Sequence, residues 1–312
     1  MALEGLRPDP ALMAAALILA LVLDLAYPEH RGLTLKLHPV HTSYYMALAL
    51  AKPHSSRLRG VVVWLLVAAA HLAPFALALL ASYSIYPALW VVVAAITLKL
   101  SASLKLLLDI CMNAYRGFSA SLDEARRWVQ LIVRRDVSRL DEPRVASAAI
   151  ESLAESLVDG FTSPLLYYAI LGPLGALAQR IANTLDGALG YKTPEYRDVG
   201  WFSARMDTAI NYIPARLTAA LIVLLSPIAR GSVKEAYRVW RAWSRATESL
   251  NAGHPMSAMA GALGVKLEKP GYYTLNHEAR HPKPEDIPRG VRLAVAVAIA
   301  HTLLCLTLTA IT

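Results

Sequence analysis

Apolar and polar stretches alternate along the chain, and several apolar stretches have the length of membrane helices. Crossing a bilayer takes about 20 predominantly apolar residues in one helix. Four runs approach or exceed that length: 11–26, 61–80, 84–108 and 293–312. Two others, 161–182 and 213–229, are short or are interrupted by proline and glycine. The pattern therefore predicts about four crossing helices and two segments that enter the membrane without crossing it.

The number of crossings decides where the polar sections lie. With four crossings, residues 109–290 and the basic loop 27–60 fall on one side, which the excess of Lys and Arg makes cytoplasmic. The sequence thus predicts an all-α integral membrane protein of the cell membrane. It would be a helical bundle with interfacial or partly inserted helices and a large polar section on one side. We expect one domain over residues 1–312, with polar helical sections at 109–160 and 230–290.

Composition supports a membrane protein and argues against a nucleic-acid partner. Of the 312 residues, 56% are hydrophobic and only 17% are charged, whereas soluble domains carry about a quarter charged residues. The net charge of +8 is better explained by loops beside anionic lipid, because no basic-aromatic nucleic-acid platform is present. The two cysteines are far apart and suggest no disulfide framework.

The first polar section contains acidic residues at helical spacing. Ser121 precedes two acidic residues and reads as a helix N-cap, and a second helix is expected from Pro143. Glu151, Glu155 and Asp159 follow at i, i+4 and i+8, which places them on one helix face. Two interpretations stay open at this point: a solvated acidic face, or a Mg²⁺ site, since Mg²⁺ favours a few carboxylates plus substrate phosphates.

The stretch 183–216 combines charged and aromatic side chains between two apolar runs. Charges at the edge of a membrane segment are usually paired or functional because they are costly to desolvate. Its glycines allow a ligand to approach the backbone, and its aromatics, Tyr191, Tyr196, Trp201, Phe202 and Tyr212, suit a large flat molecule. A solvated loop is the alternative. We predict a signature loop at 183–216.

This stretch also carries a resemblance to a known family. NTLDGALGYKTPEYRDVGWFSARMDTAINYIPARLTA, from Asn183, resembles the signature of the CobD/CbiB family of cobalamin biosynthesis. Blocks 134–167 and 251–267 and the early His38-Pro39-Val40 resemble the family as well, so the likeness spans nearly the whole chain. The chain departs from the pattern at Ser156, where the family has Asn, and at Met256, where it has Glu.

The resemblance implies an adenosylcobinamide-phosphate synthase. Such an enzyme forms an amide between adenosylcobyric acid and aminopropanol (phosphate) or a related amino alcohol, with ATP and Mg²⁺. Membrane lipid and other late cobalamin-synthesis enzymes are the expected surroundings, without nucleic acid. On this hypothesis the catalytic residues are Asp186, Asp198 and Asp207, and the metal residues are Glu151, Glu155 and Asp159. The substrate-binding residues are Asn183, Lys192, Arg197, Arg205, Asn211, Arg216 and His38.

Rival functions rest on weaker signals. A transporter or a corrinoid-binding protein without ligase activity would share the membrane helices. His277-Glu278-Ala279-Arg280-His281 matches the HExxH pattern of zinc proteases, but prolines on both sides argue against the helix that the motif needs. A metal site at His38-x-x-His41 lacks supporting cysteines or carboxylates.

Overall fold

The structure is a computed structural model that describes residues 4–311, so the ends of the predicted domain 1–312 lie outside it. Fourteen α-helices and one two-stranded hairpin account for most of the described chain. The helices are α1 (Pro10–Ala26), α2 (Leu33–Lys36), α3 (Pro39–Ala51), α4 (Arg57–Ile85), α5 (Pro87–Ser101), α6 (Lys105–Ala120), α7 (Leu122–Gln130), α8 (Glu142–Leu157), α9 (Ser163–Leu189), α10 (Trp201–Ile210), α11 (Tyr212–Leu224), α12 (Val233–Trp243), α13 (Gly253–Leu263) and α14 (Asp286–Ile311). The strands are β1 (Leu267–Lys269) and β2 (Tyr273–Leu275).

The prediction of an all-α integral membrane protein is confirmed. Among the described residues, five helical segments are long and apolar enough to cross a membrane. Four correspond to the predicted crossing runs: Glu4–Ala26, Arg57–Ile85, Pro87–Ala120 and Asp286–Ile311. In Arg57–Ile85 only 17% of the apolar window is buried inside the protein. An apolar surface of that extent is stable when lipid covers it.

The fifth candidate, Glu142–Leu189, contains the run that was predicted to enter the membrane without crossing. It joins α8 and α9 through a π-helical turn, Val158–Thr162. Its apolar window is 72% buried by the protein itself, unlike the other four. Gly172 breaks α9 with a φ of 74°, directly before Pro173. The predicted proline-glycine interruption is therefore present, within a longer helical segment than expected.

The chain divides into two compact units, each built from separate stretches. The first comprises residues up to 103, 163–210 and the C-terminal stretch from 304. In it, α3, α4, α5 and α10 pack around α9, and α1 packs along α5. Leu177, Ile181 and Leu185 of α9 belong to its hydrophobic core. The prediction of a single domain stays a prediction.

The second unit comprises residues 104–162 and 211–303. Here α6 and α7 pack on α8, α11 and α12 pack on α13, and the hairpin lies against α8. Ser121 caps α7 by accepting the backbone N–H of Glu124 at 3.1 Å, as the sequence predicted. The section 230–290 was expected to be helical, but the stretch between α13 and α14 forms an antiparallel hairpin instead, with Leu267 opposite Leu275.

The signature stretch 183–216 is mostly helical, which corrects the prediction of a loop. It begins in the last two turns of α9, continues through a loop at 190–200, and ends in α10 and the first turn of α11. Gly190 donates its N–H to the carbonyl of Asp186 at 2.7 Å. A Cβ on Gly200 would lie 1.8 Å from the carbonyl oxygen of Leu189. Gly190 thus ends a helix, and Gly200 allows close packing of the backbone.

Candidate functional site

In the first unit, the signature brings an amide and a carboxylate together. Asn183, on α9, donates from Nδ2 to Asp207 Oδ1, on α10, at 3.1 Å. Both side chains are half-buried. Asp186, three residues after Asn183, lies on the same side of α9 because residues three apart are neighbours on a helix. The predicted residues Asn183, Asp186 and Asp207 therefore occupy one local region.

The third predicted catalytic carboxylate, Asp198, has a different environment. It forms an ion pair with Arg57 at 3.1 Å, and both side chains are about half exposed. The guanidinium of Arg57 also lies 5.4 Å from the ring centre of Trp201. An ion pair this exposed contributes little to stability. The predicted phosphate-binding residues of this region are also exposed: Lys192, Arg197 and Arg205.

His38 begins α3 as its N-cap. Its Nδ1 accepts the backbone N–H of Val40 at 3.2 Å. Burial, and then the neighbouring His30, lower the pKa of His38 from 6.5 to about 3. The ring is therefore neutral at pH 7, and because Nδ1 accepts, the proton sits on Nε2. His38 presents a neutral N–H donor to a ligand.

In the second unit, the end of the signature meets the third family-like block. Arg216, on α11, donates from Nη1 to Asn251 Oδ1 at 3.1 Å and from Nη2 to the carbonyl of Leu250 at 3.4 Å. Its guanidinium lies 3.4 Å from the ring centre of Tyr212. Asn211 is fully buried. Of the two predicted binding residues in this unit, Asn211 therefore lies in the interior and Arg216 is held against the loop at 250–251.

His254 in this region was missed by sequence reasoning. Its Nδ1 accepts the indole N–H of Trp240 at 2.9 Å, and the ring lies on the first turn of α13. Burial, and then the positive charge of Arg216, lower its pKa from 6.5 to about 4. The pairing depends on the tertiary packing of α12 on α13, although the position of His254 within the third block was a usable signal.

Glu151 is held by three side chains. Arg135 donates to Oε1 at 3.2 Å, Ser147 donates to Oε1 at 2.6 Å, and Tyr273 donates to Oε2 at 2.6 Å. Burial, and then the charge of Glu151, raise the pKa of Tyr273, so its hydroxyl stays a proton donor. Met256 is buried, with its sulfur 3.7 Å from the Tyr273 hydroxyl. The family's Glu would place a second carboxylate in this buried network.

The predicted Mg²⁺ set of Glu151, Glu155 and Asp159 does not fit a three-carboxylate site. Glu151 is buried whereas Glu155 is exposed, and Asp159 lies in the π-helical turn. A π-turn spaces residues differently from an α-helix, so the i, i+4, i+8 alignment is lost. Within residues 4–311, no three His, Cys, Asp or Glu side chains are grouped to hold a metal ion.

The HExxH match does not form a zinc-binding helix. Residues 277–281 lie in a turn that follows β2. His277 is exposed, and its ring packs against Trp243 with the ring centres 5.0 Å apart. The motif needs both histidines on one helix face, so this stretch offers no such site.

These features define a class of protein: an all-α integral membrane protein that places half-buried carboxylates and neutral histidines at the ends of its apolar helices. The family model described as CobD/Cbib protein matches residues 17–294. The chain belongs to the CobD/CbiB family.

Relatives with curated names agree with this assignment. The chain is 53% identical over 302 residues to a "Probable cobalamin biosynthesis protein CobD" of Aeropyrum pernix, covering 96% of this chain and 94% of that protein. A protein with the same printed name from Methanothermobacter thermautotrophicus is 35% identical, with 93% and 95% covered. The "Cobalamin biosynthesis protein CobD" of Rhodobacter capsulatus is 36% identical, with 90% and 92% covered. No solved structure matches the chain.

Proposed function

We propose that the protein acts in cobalamin biosynthesis as an amide-forming ligase, joining adenosylcobyric acid to aminopropanol phosphate or a related amino alcohol. The contact between Asn183 and Asp207 carries this proposal. It brings two separate parts of the family-like signature together in a half-buried region, with Asp186 on the same face of α9 as Asn183. The names of the relatives support a role in cobalamin biosynthesis.

The chemistry asks for an activated acyl group and a deprotonated amine. A carboxylate is a poor acylating agent, so we propose that ATP supplies a phosphoryl group that leaves with one carboxylate oxygen. The ammonium of the amino alcohol must lose a proton before it attacks. Asp207 is our candidate for accepting that proton, because it is a half-buried carboxylate held in place by the hydrogen bond from Asn183, and a positioned carboxylate can act as a general base.

The remaining predicted residues keep their roles within the proposal. Exposed cationic side chains would bind phosphate, and Arg suits this role because it can grip two oxygens at once; they are Lys192, Arg197 and Arg205. Asp186 and Asp198 complete the carboxylate set. ATP and Mg²⁺ belong to the proposal through the family resemblance, and no step here is assigned to the metal.

A turnover assay tests the ligase directly. Detergent-purified protein would be mixed with adenosylcobyric acid, ATP, Mg²⁺ and aminopropanol phosphate, and the amide would be followed by mass spectrometry. We expect product that disappears when ATP is omitted. Absence of product from folded protein under these conditions would refute the ligase proposal.

The Asp207→Asn variant tests the assigned base. We expect kcat to fall by about 100-fold or more, as is typical when a positioned general base is lost, with little change in melting temperature. Glu195→Gln is the control, since it removes an exposed carboxylate of the same signature that has no assigned role. Near-normal turnover of Asp207→Asn would remove this residue from the catalytic set.

Met256 favours a second candidate function, a corrinoid-binding protein without ligase activity. It replaces a charged residue of the family pattern inside the buried network of Glu151 and Tyr273. Binding of adenosylcobyric acid without amide product would support this candidate. Met256→Glu would then test whether the missing carboxylate accounts for it.

We also propose that the polar side faces the cytoplasm, where the protein could meet other late cobalamin-synthesis enzymes. Both native cysteines, Cys111 and Cys305, are buried, so a single introduced thiol can be read against a low background. A Lys192→Cys variant should react with a membrane-impermeant reagent in inverted vesicles and be protected in intact cells. The reverse pattern would contradict the orientation.

A further inference from the structure

A buried ion pair links two membrane helices of the first unit. Lys99 Nζ lies 2.8 Å from Asp24 Oδ1, and the two side chains are only 7% and 8% exposed. Asp24 is near the C-terminal end of α1, and Lys99 is near that of α5. Near the other ends of these helices, the indole of Trp90 donates to the carbonyl of Gly5 at 2.7 Å. The helices therefore run parallel, and the ion pair marks one end.

Two histidines stand beside this pair. The ring centres of His30 and His38 are 4.7 Å apart, and Tyr27 packs edge-on against His30 at 5.2 Å. Both ring nitrogens of His30 are buried and have no hydrogen-bond partner in the described part of the chain. Buried polar atoms normally have a hydrogen-bond partner, so the His30 ring indicates a partner from outside the described chain.

The electrostatic surroundings favour an anion as that partner. Lys99 and Arg180 both interact with His38, and Lys99 interacts with His30. Arg180, on α9, donates from Nε to the carbonyl of Ser101 at 2.6 Å, at the end of α5. The pKa of each histidine is lowered, chiefly by burial, so both rings are neutral at pH 7. Lys99 and Arg180 thus bring two cationic side chains to the two neutral rings, and these favour an anionic ligand.

A metal ion is a poor fit for the same cluster. His38 already uses Nδ1 to accept the N–H of Val40, and the charges of Lys99 and Arg180 would repel a cation. A phosphate group fits better. Its oxygens accept N–H bonds, and a singly protonated phosphate also carries an O–H that donates. It can therefore pair with a ring nitrogen of His30 as acceptor or as donor, whereas a carboxylate anion only accepts.

We propose that His30, His38, Lys99 and Arg180 form a binding site for a phosphate monoester at the end of α1 and α5. The ligand would be the phosphate of the amino alcohol substrate, an assignment that rests on the proposed function. A phospholipid headgroup carries the same chemistry and is the other possible source. His30 would bind the phosphate through one ring nitrogen, and His38 through its Nε2–H.

Binding measurements on the full chain test the site without any need for turnover. The probe is phosphoethanolamine, a soluble amino alcohol phosphate, titrated into detergent-purified protein by calorimetry. His30→Phe keeps the ring volume and removes both nitrogens, and we expect about tenfold weaker binding, as for one lost hydrogen bond to a charged group. His38→Asn should weaken binding similarly, because Asn preserves the N-cap acceptor but removes the Nε2–H.

His41→Phe is the matched control. It lies on the same helix as His38, and its ring packs on Tyr45, a contact that a phenyl ring preserves. We expect less than a twofold change in affinity. Wild-type affinity in His30→Phe, with its melting temperature unchanged, would overturn the site.

A second experiment distinguishes a substrate phosphate from a phospholipid headgroup as the ligand. The same variants would be placed in lipid nanodiscs with and without phosphatidic acid. Binding of phosphoethanolamine that depends on His30 supports the substrate assignment. Retention of phosphatidic acid that depends on His30, with no binding of phosphoethanolamine, would overturn the substrate assignment and assign the site to lipid.

Failure of the proposed phosphate site can also be distinguished from failure of the ligase proposal. Binding that depends on His30 in a protein that makes no amide would leave the site standing and refute the ligase. Amide formation in which His30→Phe leaves the KM for aminopropanol phosphate unchanged would refute the site and leave the ligase standing.

Discussion

The two units differ in how completely their buried polar groups are hydrogen-bonded. In the second unit, the carboxylate of Glu151 accepts hydrogen bonds from Arg135, Ser147 and Tyr273. In the first unit, the pair of Asp24 and Lys99 stands next to His30, whose ring nitrogens are buried without a hydrogen-bond partner in the described chain.

This difference separates structural from ligand-binding polar groups. A buried polar atom without a partner costs about 1–3 kcal/mol, which a fold tolerates where a ligand restores the lost bonds. A carboxylate with three donors has little capacity left for a metal or a substrate. We therefore interpret Glu151 as a residue that fixes α8 to its neighbours, and the cluster near His30 as a binding site.

The largest expected effect comes from removing Glu151. Glu151→Ala would leave Arg135 buried beside an empty position, and breaking a buried pair in this way costs about 3–5 kcal/mol. We expect a corresponding fall in the free energy of unfolding in detergent. Glu155→Ala is the control, because it removes an exposed carboxylate one turn later on the same helix. Equal stability of the two variants would contradict a structural role for Glu151.

Breaking the ion pair of Asp24 and Lys99 in the first unit should lower stability by a similar amount, and a second substitution that removes the remaining charge should restore most of it. Asp24→Asn leaves the ammonium of Lys99 buried without its counter-charge, and we expect about 3–5 kcal/mol of destabilisation. Asp24→Asn/Lys99→Met removes both charges and should recover most of that loss. A double variant as unstable as the single one would show that packing, and not charge pairing, dominates at this position.

The smallest expected effect concerns pH and His254. The pKa of His254 is lowered from 6.5 to about 4, so between these values the unfolded chain binds more protons than the folded one. The free energy of unfolding should therefore fall as the pH drops from 6.5 towards 4. His254→Gln should reduce the loss of melting temperature between pH 7 and pH 5. An unchanged pH dependence would rule out His254 as a contributor.

Features that depend on local sequence were predictable. Ser121 caps a helix because its hydroxyl can reach a backbone N–H three residues later. The four long apolar runs form helices because a chain in lipid must satisfy its own backbone groups. The family resemblance also located the region of Asn183 and Asp207, since a long motif fixes which residues recur together.

Features that depend on distant contacts were not predictable. Glu151 and Glu155 are the same residue type at helical spacing, but Glu151 is buried and hydrogen-bonded by Arg135 and Tyr273, whereas Glu155 is exposed. A π-turn, which no simple periodicity signals, moved Asp159 out of line.

The sequence by itself determined the membrane class, the long apolar helices and the family. Only the tertiary structure decided which buried polar groups have a hydrogen-bond partner within the described chain and which do not. His30 and His254 look alike in the chain, yet Trp240 supplies a donor to one, and nothing in the described chain does so for the other. The reason is physical: a hydrogen bond is set by distance and direction between groups far apart in sequence, which composition and spacing do not encode.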